Sequence, residues 1–244
     1  MSRGGCGAGR SIRVVIDDAG SCPEVDGAVE ACIAAGSVDG FSILGSAHGA
    51  DRACTMALDL GFRAGAHLNA VEAPLLTMAP VSFAGILAGG RRTMEAVERE
   101  WRAQLELITS RGVAVRWIDS HRHVHHLPGL AGIAVKLALE YGAERVRAAV
   151  LPDRFARPSG PFLDLLGRRF AGMARRAGLD VPRCMAGFGA SGRLDRRYLE
   201  GLALPAGECE LVAHPATTPV WSQGQPGELA LLCSEWFRAW KTGT

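Results

Sequence analysis

SIRVVIDDAGSCPEVDGAVEACIAAG, residues 11–36, sets the frame for the whole chain. It begins with Ile12 to Ile16, a short β-branched apolar run of the kind that forms a strand. After Asp17-Asp18-Ala19-Gly20 comes Pro23, which the first turn of a helix tolerates, and then Val25, Ala28, Val29, Cys32 and Ile33 at helical spacing. Gly36 closes that helix. The unit is strand, acidic turn, helix.

The unit repeats along the chain. Phe41 to Leu44 predicts a second strand, and Ala53, Met56, Ala57 and Leu60 form the next helical stripe, ended by Gly61. A third strand should end near His67. A Pro-containing loop then leads to an amphipathic helix with Met94, Val97, Trp101, Leu105 and Ile108 on one face, terminated by Gly112. Val113 to Ile118 predicts strand four, Pro128 opens a helix carrying Leu130, Ile133, Ala134, Leu137 and Tyr141, and Val146 to Val150 predicts strand five. Weaker strand signals lie at Arg183 to Phe188 and Glu210 to Ala213, separated by helical stretches near Phe162 to Ala177 and Leu194 to Leu202. A last helix is expected over Glu228 to Trp240. Strands alternating with helices imply parallel pairing through right-handed crossovers, an α/β fold. About seven units predict a (β/α) barrel, irregular or incomplete. An open doubly wound sheet is the alternative, but the glycine-rich turn that usually accompanies it is missing.

Composition sets the bounds. Of 244 residues, 48 % are hydrophobic and 21 % charged, which suits a globular domain with a sizeable core. We take residues 11–244 as one domain behind a flexible Gly-rich tail, residues 1–10. Formal charge is +2 with Lys and Arg scattered, so nucleic acid is excluded as the expected partner. The seven cysteines are odd in number and form no Cys-x-x-Cys pair, as expected of buried thiols in a reducing cytoplasm. The tail is followed by no long apolar stretch, so neither signal peptide nor membrane span is expected.

Position carries the functional signal. Asp17, Asp18, His67, Asp119, His121, Arg147 and His214 all fall at expected C-terminal ends of different strands, the rim where parallel barrels place their chemistry. Only His48 of the seven histidines lies away from such ends. An isolated acidic pair after a strand is usually a helix cap, but on this rim two adjacent carboxylates can divide the work: one binds a metal, its neighbour takes a proton. The run Asp119-Ser120-His121-Arg122-His123-Val124-His125-His126 would project alternate histidines on one face if the strand continued through it, and such tracts bind metals. Asp119 could orient a liganding imidazole. Ser120 lacks the Gly-x-Ser-x-Gly setting of a nucleophile. His67 has small neighbours, Gly65 and Ala66, that leave room for an ion, although a buried core histidine is an equal reading. His214-Pro215 closes the run Leu211 to Ala213 and offers a general acid, or else an incidental polar residue before a proline. For Arg147 the plain alternative is a surface ion pair. Trp101 and Gln104 read first as helix packing.

At these positions the chain resembles the YdjC-like carbohydrate deacetylases, a family that includes chitooligosaccharide deacetylases and a hopanoid-pathway branch. The resemblance runs from Val14 to about Thr217. It rests on Ile16-Asp17-Asp18-Ala19-Gly20, Gly65-Ala66-His67-Leu68-Asn69, Glu100-Trp101 with Gln104, Asp119 to His125, and His214-Pro215-Ala216. It implies that Asp18, His67 and His121 bind one divalent ion, that Asp17 is the general base and His214 the acid, and that the fold is an irregular barrel similar to NodB-type deacetylases. His125 and Arg147 are expected to contact substrate, while the roles of His123 and His126 stay open. The chain departs from the family pattern at Ile16 and Ala19, and its stretch from Leu75 to Arg92 is short, which suits a small glycoside or glycolipid as well as a short oligosaccharide.

The expected reaction is hydrolysis of the N-acetyl group of an acetamido sugar, releasing acetate and a free amine. Two imidazoles and a carboxylate suit Zn²⁺ by ligand type and also admit Mg²⁺. Another metal-dependent amidase or phosphoesterase on the same rim, or a sugar- or metal-binding protein without turnover, remains as the alternative. A homodimer through exposed helices is expected of such barrels.

Overall fold

The structure is a computed structural model in which residues 9–243 are described. Most of the tail expected over 1–10 lies outside the described residues, and Arg10 already belongs to the first strand. Seven strands follow: β1 (Arg10–Ala19), β2 (Gly40–Ile43), β3 (Ala64–Leu68), β4 (Val115–Ser120), β5 (Arg145–Val146), β6 (Cys184–Ala186) and β7 (Gly207–Ala213). The helices are α1 (Pro23–Ala34), α2 (Ala50–Asp59), α3 (Phe83–Ala88), α4 (Gly90–Ser110), α5 (Leu130–Glu140), α6 (Gly160–Arg176), α7 (Arg196–Glu200), α8 (Gln225–Leu232) and α9 (Glu235–Thr242). No helix among the described residues is long and apolar enough to cross a membrane.

All pairings are parallel, in the order β5-β4-β3-β2-β1-β7-β6. Because β7 lies beside β1, the sheet curls round as the expected barrel does. It is incomplete between β5 and β6, where an isolated bridge joins Arg145 to Asp180 and the Met185 amide donates to the Val150 carbonyl at 2.9 Å. Register then positions the rim. Ile16 pairs with Ala213, so Asp17 and His214 stand side by side one step further on, while His67 pairs directly with Asp119.

The inside of the curl is filled by Trp117, 1 % exposed. Two glycines make room for it: a Cβ on Gly40 would lie 2.4 Å from the indole and one on Gly65 2.2 Å from it. Below, the Arg13 guanidinium lies over the ring, 4.3 Å from its centroid. Above, the indole N–H donates to Ser42 Oγ at 2.8 Å, and that hydroxyl donates to Asp119 Oδ2 at 2.6 Å. The outside is an apolar core against the helices, in which α4 buries Val97, Trp101, Leu105 and Ile108 as its spacing predicts.

Three expectations change. β4 stops at Ser120, and Arg122 (φ 53°) and His123 (φ 56°) take left-handed backbone, so the histidines occupy a kinked turn instead of alternating along a strand. β5 shrinks to two residues. The final helix is two helices, because Ser234 caps α9 by accepting the Phe237 amide at 3.1 Å. The short α3 was not anticipated. The six described cysteines are free thiols, with Cys22 and Cys233 half-buried and the rest buried.

Candidate active site

Asp18, at the end of β1, sits at φ 64°, a conformation that costs a non-glycine residue of order 1–3 kcal/mol and that clusters at functional sites. The turn brings Asp18 Oδ1 to 3.3 Å from His67 Nε2 and 3.1 Å from His121 Nδ1. Each ring is held from its far side by a second carboxylate. His67 Nδ1 hydrogen-bonds Asp119 Oδ1, and Glu72 Oε2 lies 3.1 Å from His121 Nε2. Each rear carboxylate holds the proton of the nitrogen it faces, so the nitrogen towards Asp18 is the one that can give up its proton to bind an ion.

This donor set fits a divalent cation. The three ligand atoms lie within 4.8 Å of one another. The pocket also favours positive charge: burial opposes protonation of His67, yet Asp17 and Asp119 outweigh it and hold its pKa well above the ordinary value. His121 is likewise raised, against burial, by Asp18. Asp18 itself is held well below the ordinary carboxylate range by its bonds to both rings, despite burial. A second cluster, Asp17, His67 and Asp119, meets the same spacing but fits less well, because both its carboxylates already face a cation.

That cation is Arg147. It is buried, and its Nη1 and Nη2 grip Asp17 Oδ2 and Oδ1 at 2.6 and 2.8 Å. Nη2 also lies 3.0 Å from Asp119 Oδ2, and Nε donates to Glu210 Oε1 at 2.5 Å. Every arm of the guanidinium is therefore bonded within the barrel, and the structure does not offer Arg147 to a substrate as expected. Burial would raise the Asp17 pKa, but Arg147 and His67 outweigh it and keep the carboxylate ionised.

His214 follows β7 with its Nε2 3.8 Å from Asp17 Oδ2 and its Nδ1 3.3 Å from Ser191 Oγ. Its backbone is fastened by α8: Glu228 Oε1 accepts its amide at 2.5 Å, and Gln225 Nε2 donates to its carbonyl at 3.2 Å. Burial pushes the His214 pKa below the ordinary value, against the pull of Asp17 and Asp18.

The remaining histidines separate. His125 is fully buried, with Nδ1 bonded to Ser120 Oγ at 2.5 Å and Nε2 to the Arg147 carbonyl at 2.9 Å, so it braces the wall behind the site and is not placed to touch substrate. His126 accepts the Ala149 amide at 3.0 Å, and burial takes its pKa down to about 4. His123 packs 6.2 Å from Phe188, and its Nδ1 is buried without a hydrogen-bond partner.

A family model described as YdjC-like protein matches residues 11–242. The chain belongs to the YdjC-like family. A mouse protein named carbohydrate deacetylase is 29 % identical over 260 residues, covering 89 % of this chain and 82 % of its own. Among solved structures, a protein of Enterococcus faecalis V583 whose name refers to cellobiose-phosphate cleavage superposes with a TM-score of 0.73 at 19 % identity, covering 96 % of this chain and 95 % of its own. A family 4 carbohydrate esterase from Streptomyces lividans, solved with acetate, gives 0.51 at 11 % identity, covering 98 % and 90 %. The fold is thus shared with carbohydrate-esterase barrels.

In this YdjC-like chain Glu72, Glu210 and Glu228 hold His121, Arg147 and the His214 amide, and sequence reasoning missed all three. Each is a lone carboxylate with no motif around it. Gln104, read first as helix packing, and Glu100 hold the loop after β3: Gln104 bonds both the amide and the carbonyl of Asn69 at 2.8 Å, and Glu100 accepts the Leu76 and Thr77 amides at 2.9 and 2.6 Å. Their i, i+4 spacing on α4 was the available signal.

Proposed function

We propose that this protein hydrolyses the N-acetyl group of an acetamido sugar, with one divalent ion held by Asp18, His67 and His121, Asp17 as general base and His214 as general acid. The observation that carries the reading is the convergence of His67 Nε2 and His121 Nδ1 on Asp18 Oδ1, each ring turned by its own rear carboxylate. The name of the mouse relative supports the choice of reaction. A bound divalent ion supplies Lewis acidity, which brings water towards deprotonation near neutral pH and polarises the amide carbonyl. Ligand type favours Zn²⁺ and admits Mg²⁺.

The chain's own residues handle the protons. Asp17 is ionised by Arg147 and oriented by two hydrogen bonds, so it can take a proton from the attacking water. Burial favours the neutral form of His214, so the proton it gives the departing amine has to reach it during turnover. Asp17, 3.8 Å from Nε2, is the group placed to pass it on. Attack gives a tetrahedral adduct, the carbon–nitrogen bond breaks as His214 protonates the nitrogen, and acetate leaves with the free amino sugar. We place this activity in residues 11–244 acting as one unit in the cytoplasm, in keeping with free thiols at the six described cysteines. Incubation with a panel of acetamido sugars, with mass spectrometry for the amine and an acetate assay, tests the reaction. No acetate from any sugar in the presence of Zn²⁺ or Mg²⁺ would reject it.

A further inference from the structure

With His125 and Arg147 bonded internally, the substrate wall has to come from elsewhere, and the segment after His214 supplies one. Trp221 is 52 % exposed beside the site. Its indole meets the His214 ring edge-to-face, with centroids 5.6 Å apart and planes at 80°.

The ring is exposed yet held in place. Gln225, fully buried, accepts the amides of Val220, Trp221 and Ser222 on its single Oε1 at 2.9, 3.0 and 3.1 Å, while its Nε2 reaches the His214 carbonyl. One side chain thus couples the position of Trp221 to that of His214. Ser222 Oγ ties the same segment to the Gly192 carbonyl at 2.8 Å. Gly192 itself, at φ 69°, leaves the space the indole occupies, since a Cβ there would fall 2.5 Å from Cη2. A large aromatic carried on a backbone that four hydrogen bonds pin, seated over a glycine and with half its surface in water, is built to receive something flat and apolar.

We infer that Trp221 is the stacking platform for the pyranose ring that carries the scissile acetamide. The inference rests on His214 as the group that protonates the departing nitrogen. That nitrogen is bonded directly to a ring carbon of the sugar, so the pyranose must lie within one ring's width of His214, where Trp221 is the exposed aromatic. The axial C–H groups of a pyranose form an apolar face that packs on an indole, and the hydroxyls at its edge stay in water.

The test measures binding and turnover separately. Wild type, Trp221→Phe, Trp221→Ala and Gly192→Ala are titrated by calorimetry with the methyl glycoside of an acetamido pyranose and with an acyclic acetamide of similar polarity, and acetate release is followed in parallel. Trp221→Ala should weaken pyranoside binding and raise KM about tenfold, a larger effect than any on kcat, with acyclic binding unchanged. Phenylalanine should restore binding to within about threefold. Gly192→Ala, which displaces the ring, should resemble Trp221→Ala. Unchanged pyranoside affinity in Trp221→Ala, an equal loss for the acyclic amide, or no pyranoside binding by wild type would overturn the inference. Sugar binding through Trp221 without acetate release would leave the platform standing and remove the hydrolytic reading. Acetate release with KM indifferent to Trp221 would do the reverse.

Discussion

Arg147→Met should be among the most damaging single substitutions in this protein, for reasons of charge rather than volume. The guanidinium is fully desolvated and faces Asp17, Asp119 and Glu210 through contacts of 2.5 to 3.0 Å. Methionine keeps much of the stem but leaves three carboxylates around an apolar side chain. Removing one partner of a buried ion pair costs about 3–5 kcal/mol, against a total stability of about 5–15 kcal/mol for a typical domain. Arg147→Lys should recover only part of the loss, because one ammonium cannot span Asp17 bidentately and reach Glu210 as well. Urea denaturation gives the stability and acetate release gives the rate. Adding Glu210→Gln to Arg147→Met should relieve one orphaned charge, so the double variant should be more stable than the sum of the two single losses predicts. An Arg147→Met protein within about 1 kcal/mol of wild type, with additive behaviour in that cycle, would refute the idea that this cation organises the barrel interior.

Two further outcomes follow from the proton-handling groups. Asp17→Asn and His214→Ala should each slow turnover by about 10²–10⁴-fold with metal content nearly unchanged, and the double variant should be little worse than either alone, since both serve one proton path; a multiplicative double loss, read from kcat, would contradict that path. Glu228, which anchors the His214 amide, has its carboxyl pushed up to about 7 by burial, only partly offset by the amides of His214 and Leu194. A raised carboxyl pKa contributes stability that is complete below the unfolded value and is lost as pH rises through about 7. Glu228→Gln should therefore be less stable than wild type at pH 5, with the gap narrowing by about 2–3 kcal/mol at pH 8. A gap that urea denaturation finds constant across that range would mean Glu228 does not titrate there.

The strand–helix alternation was legible because each unit carries its own period and its own stop, as in Ile12 to Gly36. The rim was legible because polar residues at the ends of apolar strands have few structural reasons to be there. Beyond that, the sequence is silent wherever tertiary contacts choose among locally equal options. The run from His121 to His126 contains a single apolar residue, Val124, so nothing local separates a strand from a turn; bringing His121 beside Asp18 while sending His125 inward decides it. Arg147 and His125 look exposed on paper because they are polar. In the fold, the interior of this curled sheet is itself polar, lined by Ser42, Asp119, Arg147 and Glu210, and it demands internal partners. Glu72 acts across 49 positions from His121, a separation at which no pattern in one sequence pairs two residues.

Metal binding to single-site variants tests the central claim most directly. Equilibrium dialysis of purified protein against Zn²⁺, read by elemental analysis, should find one ion per chain in wild type, Asp17→Asn, His214→Ala and His123→Ala. Asp18→Asn, His67→Ala and His121→Ala should each lose it, because an open catalytic site has only three protein ligands to give. Loss of the ion in Asp17→Asn, or retention in any of the other three, would contradict the assignment of Asp18, His67 and His121 as the metal-binding set.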